Sequence, residues 1–285
     1  MNLNEAVAKY GSINAAARAL GIPRTTLQDR IKKERVDKPV THCVIPDAQV
    51  KPGVPLGHLK WAGEYIADKK PDVIICLGDF ADMQSLSSYD KGRTSAENKR
   101  YKYDLESAHK GMELLMTPIV KEPNYKPRLV LTLGNHEDRI TRYADCNPQM
   151  SDYLSVNDLG YEAWGWTVYP FLEIAKIDQI SYSHYFYNPN TGKPYGGENI
   201  TARLKTIGMS FTMGHQQGLM TAIRDLADGT RHRGLVAGSF YQHKELYKGP
   251  QGNDHWQGIL MKHEVANGNY DLMEVSLDFL RRRYS

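Results

Sequence analysis

The chain has 285 residues, 41% of them hydrophobic and 24% charged, with a formal net charge of +3. Such a composition belongs to a globular protein of one large or two unequal domains and excludes a low-complexity or collagen-like chain. A balance so near neutrality does not mark a nucleic-acid binder by itself, and no apolar run approaches the ~20 residues that cross a bilayer.

The opening, MNLNEAVAKYGS, lacks the basic start and apolar core of a signal peptide. The three cysteines, Cys43, Cys76 and Cys146, are odd in number and without CxxC spacing. This argues against a disulfide framework or a cysteine-rich zinc site and for a reducing cytoplasm, with no membrane partner. NEAVAKY predicts a short amphipathic helix with Ala6, Val7 and Tyr10 inward, stopped by Gly11. INAAARAL predicts a second, whose small face at Ala16 and Ala17 allows close approach. Gly21-Ile22 makes a tight turn, and Pro23 opens a third helix, RTTLQDRIKK, with Leu27 and Ile31 facing the core. Arg24, Thr25, Gln28, Arg30, Lys32 and Lys33 are left outside as a polar, basic face. A helix, a short turn with Gly and a basic helix form the pattern of a helix-turn-helix. GSINAAARALGIPRTTLQDRIKK resembles the Fis-type, homeodomain-like members of that class, which implies DNA as a partner. The bland alternative is a small helical cap with a solvated basic face. The expected domain is residues 1–36, and ERVDKP, Glu34 to Pro39, reads as a linker.

From Val40 the pattern changes. HCVIPD, DVIICLGD and RLVLTLGN are β-branched runs that each end in Asp or Asn, separated by the helical stretches LGHLKWAGEYIADKK and AENKRYKYDLESAHKGMELL. That alternation predicts an α/β layered fold over residues 40–285. QISYSHYF, MSFTMGH and GLVAGSF continue as strands. Met83 to Asn98 reads as an excursion over the active face and Asn188 to Asn199 as a loop.

The strand ends carry the chemistry. They present Asp47 with Gln49 (PDAQ), Asp79 with Asp82 (GDFAD), Asn135 with His136 (GNHE), His184 (SYSH), and His215 with Gln217 (GHQQ). In open α/β sheets such ends converge on one crevice. Any one of these residues has an ordinary reading, His184 as a satisfied core histidine and GDFAD as a turn. The set of five predicts a site for two divalent cations ~3.5–4 Å apart, which would activate water and stabilise charge on a phosphoryl group.

The ordered set resembles the calcineurin-like metallophosphoesterase superfamily, whose motifs run Asp-x-His, Gly-Asp-x-x-Asp, Gly-Asn-His-Asp/Glu, His and Gly-His-x-His. The resemblance implies a four-layer α/β/β/α sandwich. It implies that Asp79 bridges two metals, that Asp47 serves the first ion, and that Asn135, His184 and His215 serve the second. His136 would then protonate the leaving alkoxide, oriented by Asp82. Gln49 and Gln217 stand where most members have His, so the first site becomes Asp47, Gln49, Asp79 and Gln217, all oxygen donors. Oxygen donors favour Mn²⁺ or Mg²⁺ over Zn²⁺, Ni²⁺ or iron, with Mn²⁺ the leading expectation, and the first ion is expected to bind more weakly. Arg139 is a candidate phosphate contact, and His58 is expected on a helix surface. YQHKELYKGPQGNDHWQG is expected to form one wall of the cleft.

The helix-turn-helix selects among phosphoesters, because a tethered DNA-binding module raises the local concentration of DNA at the metal site. The expected function is a metal-dependent phosphodiesterase acting on nucleic acid, a DNA nuclease. GDFADMQSLSSYDKG and GNHEDRITRY also resemble phage and prophage members, implying a bacterial or phage-infected cytoplasm. The alternatives are a phosphatase for phosphoproteins or nucleotides and a non-catalytic DNA-binding protein. Helix-turn-helix modules usually work in pairs, which suggests a homo-oligomer.

Overall fold

The computed structural model describes residues 3–37, 40–245, 248–249 and 251–285, with the side chains of residues 3–5, 8, 31–37 and 90 outside that description. The chain divides into two compact units, Met1–Pro39 and Val40–Ser285.

In the first unit, α1 (Leu3–Tyr10), α2 (Ile13–Ala19) and α3 (Arg24–Asp37) follow one another across short turns. Ser12 caps α2 by accepting from the Ala15 N–H at 3.2 Å, as short hydroxyl side chains do at helix starts. Ala6, Ala16, Ala17 and Leu27 form the core, with Val7, Ile13 and Ile22 packed against them. Tyr10 is exposed, not inward, because so small a core is filled by its alanines and Leu27. The expected linker is also corrected: Glu34–Asp37 continue α3, since Glu and Arg are good helix formers and Pro comes only at position 39. The Ile31 side chain, Lys38 and Pro39 lie outside the described residues.

The second unit is built on two sheets. The first has the order β13 (Asn269–Ser276), β12 (Gly258–Ala266), β1 (Val40–Ile45), β2 (Val73–Cys76), β3 (Arg128–Thr132), β4 (Thr167–Tyr169). Strands β1 to β4 run parallel, and β12 and β13 add antiparallel edges. The second has the order β10 (Leu219–Asp225), β11 (Arg231–Ala237), β9 (Phe211–Met213), β6 (Ile180–Tyr182), β5 (Ala175–Ile177).

Alternation along the buried strands separates the layers. Cys43, Ile45, Ile74 and Cys76 pack on the helices α4 (Gly57–Lys69), α5 (Tyr101–Lys121) and α8 (Leu277–Tyr284). Their neighbours Val44, Val73 and Ile75 face the second sheet and meet Ile177, Tyr182, Leu235 and Ala237. On the far face of that sheet, Phe211, Met213 and Val236 are covered by Ile200 and Leu204 of α7 (Ile200–Ile207). The result is helices, sheet, sheet, helix, which is the α/β/β/α sandwich.

Two expectations are adjusted. Met83 to Asn98 contains three 3-10 turns, Gln84–Leu86, Ser88–Asp90 and Thr94–Ala96. The Asn188 to Asn199 loop includes half of a small hairpin, β7 (Tyr187–Asn188) with β8 (Lys193–Pro194). Among the described residues no helix is long and apolar enough to cross a membrane.

Candidate metal centre

The carboxyl ends of β1 and β2 stay paired beyond the strands. Gln49 N–H donates to Asp79 O (2.8 Å), Val50 N–H to Phe80 O (2.7 Å) and Asp82 N–H to Val50 O (2.9 Å). The Asp-bearing loops are thereby held side by side. The two sheets are tied at the same level. His184, just after β6, directs Nδ1 to the Leu77 carbonyl at 2.8 Å, and Asp47 accepts the His215 N–H at 3.0 and 3.1 Å. The site lies on the seam between the sheets.

His184 is fully buried, with Nε2 3.0 Å from Asn135 Oδ1 and 3.3 Å from Asp79 Oδ2. With Nδ1 donating to a carbonyl, Nε2 is the ring atom presented to this cluster, the arrangement that orients metal-binding imidazoles. Asp79, His184 and His215 bring ligand atoms within 4.8 Å of one another. Two glycines make room: a Cβ at Gly134 would collide with the Asp79 carboxylate, and one at Gly214 with Asp47 Oδ1. Gln49 (φ 44°), Asp79 (φ 48°), His215 (φ 68°) and Gln217 (φ 59°) all take left-handed backbone conformations. Such strain costs of order 1–3 kcal/mol per residue and gathers at functional sites.

His136 Nδ1 lies 2.8 Å from Asp82 Oδ1, and its Nε2 lies 3.7 Å from Asp79 Oδ2. On α6 (Asp138–Cys146), Arg139 donates through NH1 to Asp82 O (2.7 Å) and Oδ1 (3.1 Å), while NH2 sits 3.2 Å from His136 Nε2. Arg142 NH2 donates to the Asn135 carbonyl at 2.7 Å.

The electrostatics ask for added positive charge. Burial raises the Asp47 pKa, since a carboxylate is costly to hold away from water. Burial also opposes ionisation of Asp79, but His136 and His184 outweigh it and hold that carboxyl well below the usual range. For His184 burial disfavours the proton, yet Asp79 more than offsets this and lifts the ring to about 9. His215 is pushed down to about 4 by burial, with His184 adding to the effect, so its ring is neutral at pH 7. Burial works against protonated His136 as well, but Asp79 and Asp82 outweigh it and raise its pKa. The side-chain oxygen of Gln49, buried, accepts no hydrogen bond from the described residues. An orphaned amide oxygen, a neutral imidazole and clustered carboxylates fit a divalent cation.

The family model described as calcineurin-like phosphoesterase matches residues 55–271. The chain belongs to the calcineurin-like phosphoesterase family. Asp47 and Gln49 precede the matched residues, whereas the other four strand ends fall inside them. A second model, the helix-turn-helix of the Psq domain, matches residues 2–38. No curated protein matches the chain significantly. Among solved structures, Vps29 from Entamoeba histolytica complexed with zinc is 10% identical, with 83% of this chain and 99% of that one covered at a TM-score of 0.36. The phosphoesterase YfcE from E. coli is 11% identical, covering 83% of this chain and 100% of that one at a TM-score of 0.35.

The phosphoesterase domain carries site features that its sequence did not disclose. Glu137, which follows His136 in the GNHE stretch, is fully buried and accepts from the N–H groups of Asp79 (2.9 Å), Ala81 (2.9 Å) and Gly134 (2.8 Å). His58 is buried against the Phe240 ring (4.9 Å), not on the helix surface, because α4 turns that side to the core. Lys51 Nζ lies 3.2 Å from Asp82 Oδ2 and 2.5 Å from Glu245 Oε1. Gln217 Oε1 accepts from Tyr241 Oη (2.9 Å) and from Lys248 Nζ. The sequence signal for these last contacts is the expected wall segment, which contains Tyr241, Glu245 and Lys248.

In the first unit Arg24, Thr25 and Arg30 are exposed and Gln28 is half-buried, all on α3. The side chains of Lys32 and Lys33 lie outside the described residues.

Proposed function

We propose that this phosphoesterase is a divalent-metal-dependent phosphodiesterase that cleaves nucleic acid, DNA in particular. Asp79, Asn135, His184 and His215 would hold one ion, and Asp47, Gln49, Asp79 and Gln217 a second, with Mn²⁺ best suited to the oxygen-rich set. Divalent ions in these positions supply Lewis acidity toward a phosphoryl oxygen and make water more acidic.

The chain's own groups provide the rest. The observation that carries the reading is the Asp82–His136 pair beside Asp79. Asp82 accepts from Nδ1–H, which leaves Nε2 as the atom that carries a transferable proton toward a leaving oxygen. Asp79 and Asp82 outweigh burial and raise the His136 pKa, which favours the protonated ring. Arg139 NH2 lies 3.2 Å from Nε2, a contact that needs a lone pair there, so protonation of the ring would release the guanidinium to a non-bridging phosphate oxygen. Preference for nucleic acid is supported by the helix-turn-helix unit and its exposed Arg24 and Arg30. The Fis-type character of that unit and a phage origin rest on sequence resemblance alone, and pairing through the module remains part of the proposal.

The test is turnover of a nitrophenyl phosphodiester, the matching monoester, and single- and double-stranded DNA, each with Mn²⁺. Cleavage of diester and DNA is expected, with the DNA activity strongly reduced in His136→Ala. Monoester preference would point to a phosphatase. Absence of turnover with every metal would leave a DNA-binding protein.

A further inference from the structure

The two halves of the candidate centre differ in one respect that the ligand types alone do not convey. The half built from Asp79, Asn135, His184 and His215 brings imidazole rings to the Asp79 carboxylate, with His184 Nε2 3.3 Å from Asp79 Oδ2. In the other half a lysine ammonium has entered. Lys248 Nζ donates to Gln217 Oε1, the amide oxygen placed to hold the first ion, and to Tyr241 Oη at 3.0 Å. It also lies 5.7 Å from the Tyr241 ring centroid and within the electrostatic reach of Asp47.

This lysine is held by a built loop. Asn253 Nδ2 donates to Glu245 O (3.0 Å) and Gly249 O (2.9 Å), and Asn253 Oδ1 accepts from Glu245 N–H (2.7 Å). The Lys248 N–H in turn donates to Glu245 O at 3.2 Å. The Glu245 carboxylate is anchored by Lys51 (2.5 Å) and His243 (2.7 Å). Glu245 before Lys248 and Gly249 directly after it are therefore both tied to Asn253.

We propose that Lys248 is a tethered cation that competes with a divalent ion for Gln217 and the Asp47 half of the centre. The chain then binds one ion tightly and a second only by displacing the lysine. An ammonium and a small divalent ion both seek oxygen donors, and like charges cannot share one donor at close range. Gln49 Oε1, which accepts no hydrogen bond from the described residues, remains for the ion that arrives once the lysine has left. This inference rests on the metal-dependent reading above.

The experiment is Mn²⁺ binding to the full chain, by calorimetry and by electron paramagnetic resonance of the free ion. One tight site and one at least about tenfold weaker are expected. Lys248→Met keeps the apolar stem and removes the charge. It should tighten the weak site by about tenfold or more and leave the tight one unchanged, while Lys248→Arg should retain the gap. A second measurement uses the native chain: amine-reactive labelling of Lys248, mapped by mass spectrometry, should rise at Mn²⁺ concentrations that fill the weak site. Two equal sites in the native chain would overturn the inference while leaving the metal reading intact. So would a weak site unmoved in Lys248→Met, or labelling insensitive to Mn²⁺. Absence of any bound Mn²⁺ would overturn both.

Discussion

The Glu137 carboxylate accepts the backbone N–H of Asp79 at 2.9 Å, so a buried acid three residues after Gly134 sets the position of the central aspartate. Glu137→Gln replaces one acceptor oxygen with an NH2 donor that faces N–H groups and leaves at least one of the three donors unpaired. A loss of about 1–3 kcal/mol in urea unfolding is expected. An unchanged midpoint would mean that the clamp is not needed to hold the loop.

His136 offers a test of proton donation that depends on the substrate. A proton matters most when the departing oxygen is basic, so His136→Ala should cost about 10²–10⁴-fold on DNA. The loss should be distinctly smaller on a nitrophenyl diester, whose phenolate leaves readily. Equal losses on both substrates would argue that the ring acts in binding.

His58 predicts acid sensitivity. Burial pushes its pKa down to about 3, so the folded chain keeps the ring neutral where the unfolded chain protonates it. Its contribution is present above the unfolded value of about 6.5 and is lost as pH falls from there toward about 3, by about 1.4 kcal/mol per pH unit. Unfolding of His58→Leu, followed by urea titration across that range, should depend less on pH than that of the native chain. Parallel profiles would rule His58 out as a source.

Lys262 is fully buried between the sheets, with Nζ 3.1 Å from Tyr182 Oη and 4.3 Å from the Tyr270 ring centroid. Burial lowers its pKa well below the usual lysine value. The unfolded chain binds this proton up to about pH 10.4 and the folded chain releases it earlier, so stability rises with pH through that window. Lys262→Met should be more stable than the native chain at pH 7, by an amount that shrinks toward pH 10. A less stable variant at pH 7 would show that the hydrogen bonds to Tyr182 and Thr212 outweigh the cost of burial.

Arg24 and Arg30 are exposed on α3. If they meet DNA phosphates, each Arg→Ala change should weaken DNA binding and reduce the slope of log K against log salt by about 1. A gel-shift series over salt reads this directly, and an unchanged slope would assign α3 to a solvated cap.

Sequence by itself determined the alternation of strands and helices and the strand-end groups, while the layer order was implied by the family resemblance. A buried strand writes its own pattern, and the residue that follows a strand necessarily sits at its carboxyl end, so Asp47, Asp79, Asn135, His184 and His215 were legible one stretch at a time. The short edges β4 and β5, and the antiparallel pair β12 and β13, lacked comparable punctuation. Tertiary structure alone decided the long-range partners. Lys51 meets Glu245 across 194 residues, and Lys248 meets Gln217 from a loop with no periodicity. It also decided burial where spacing misled, turning His58 inward and Tyr10 outward. Local patterns encode which face an element hides, but a contact between two loops depends on where both sheets carry them.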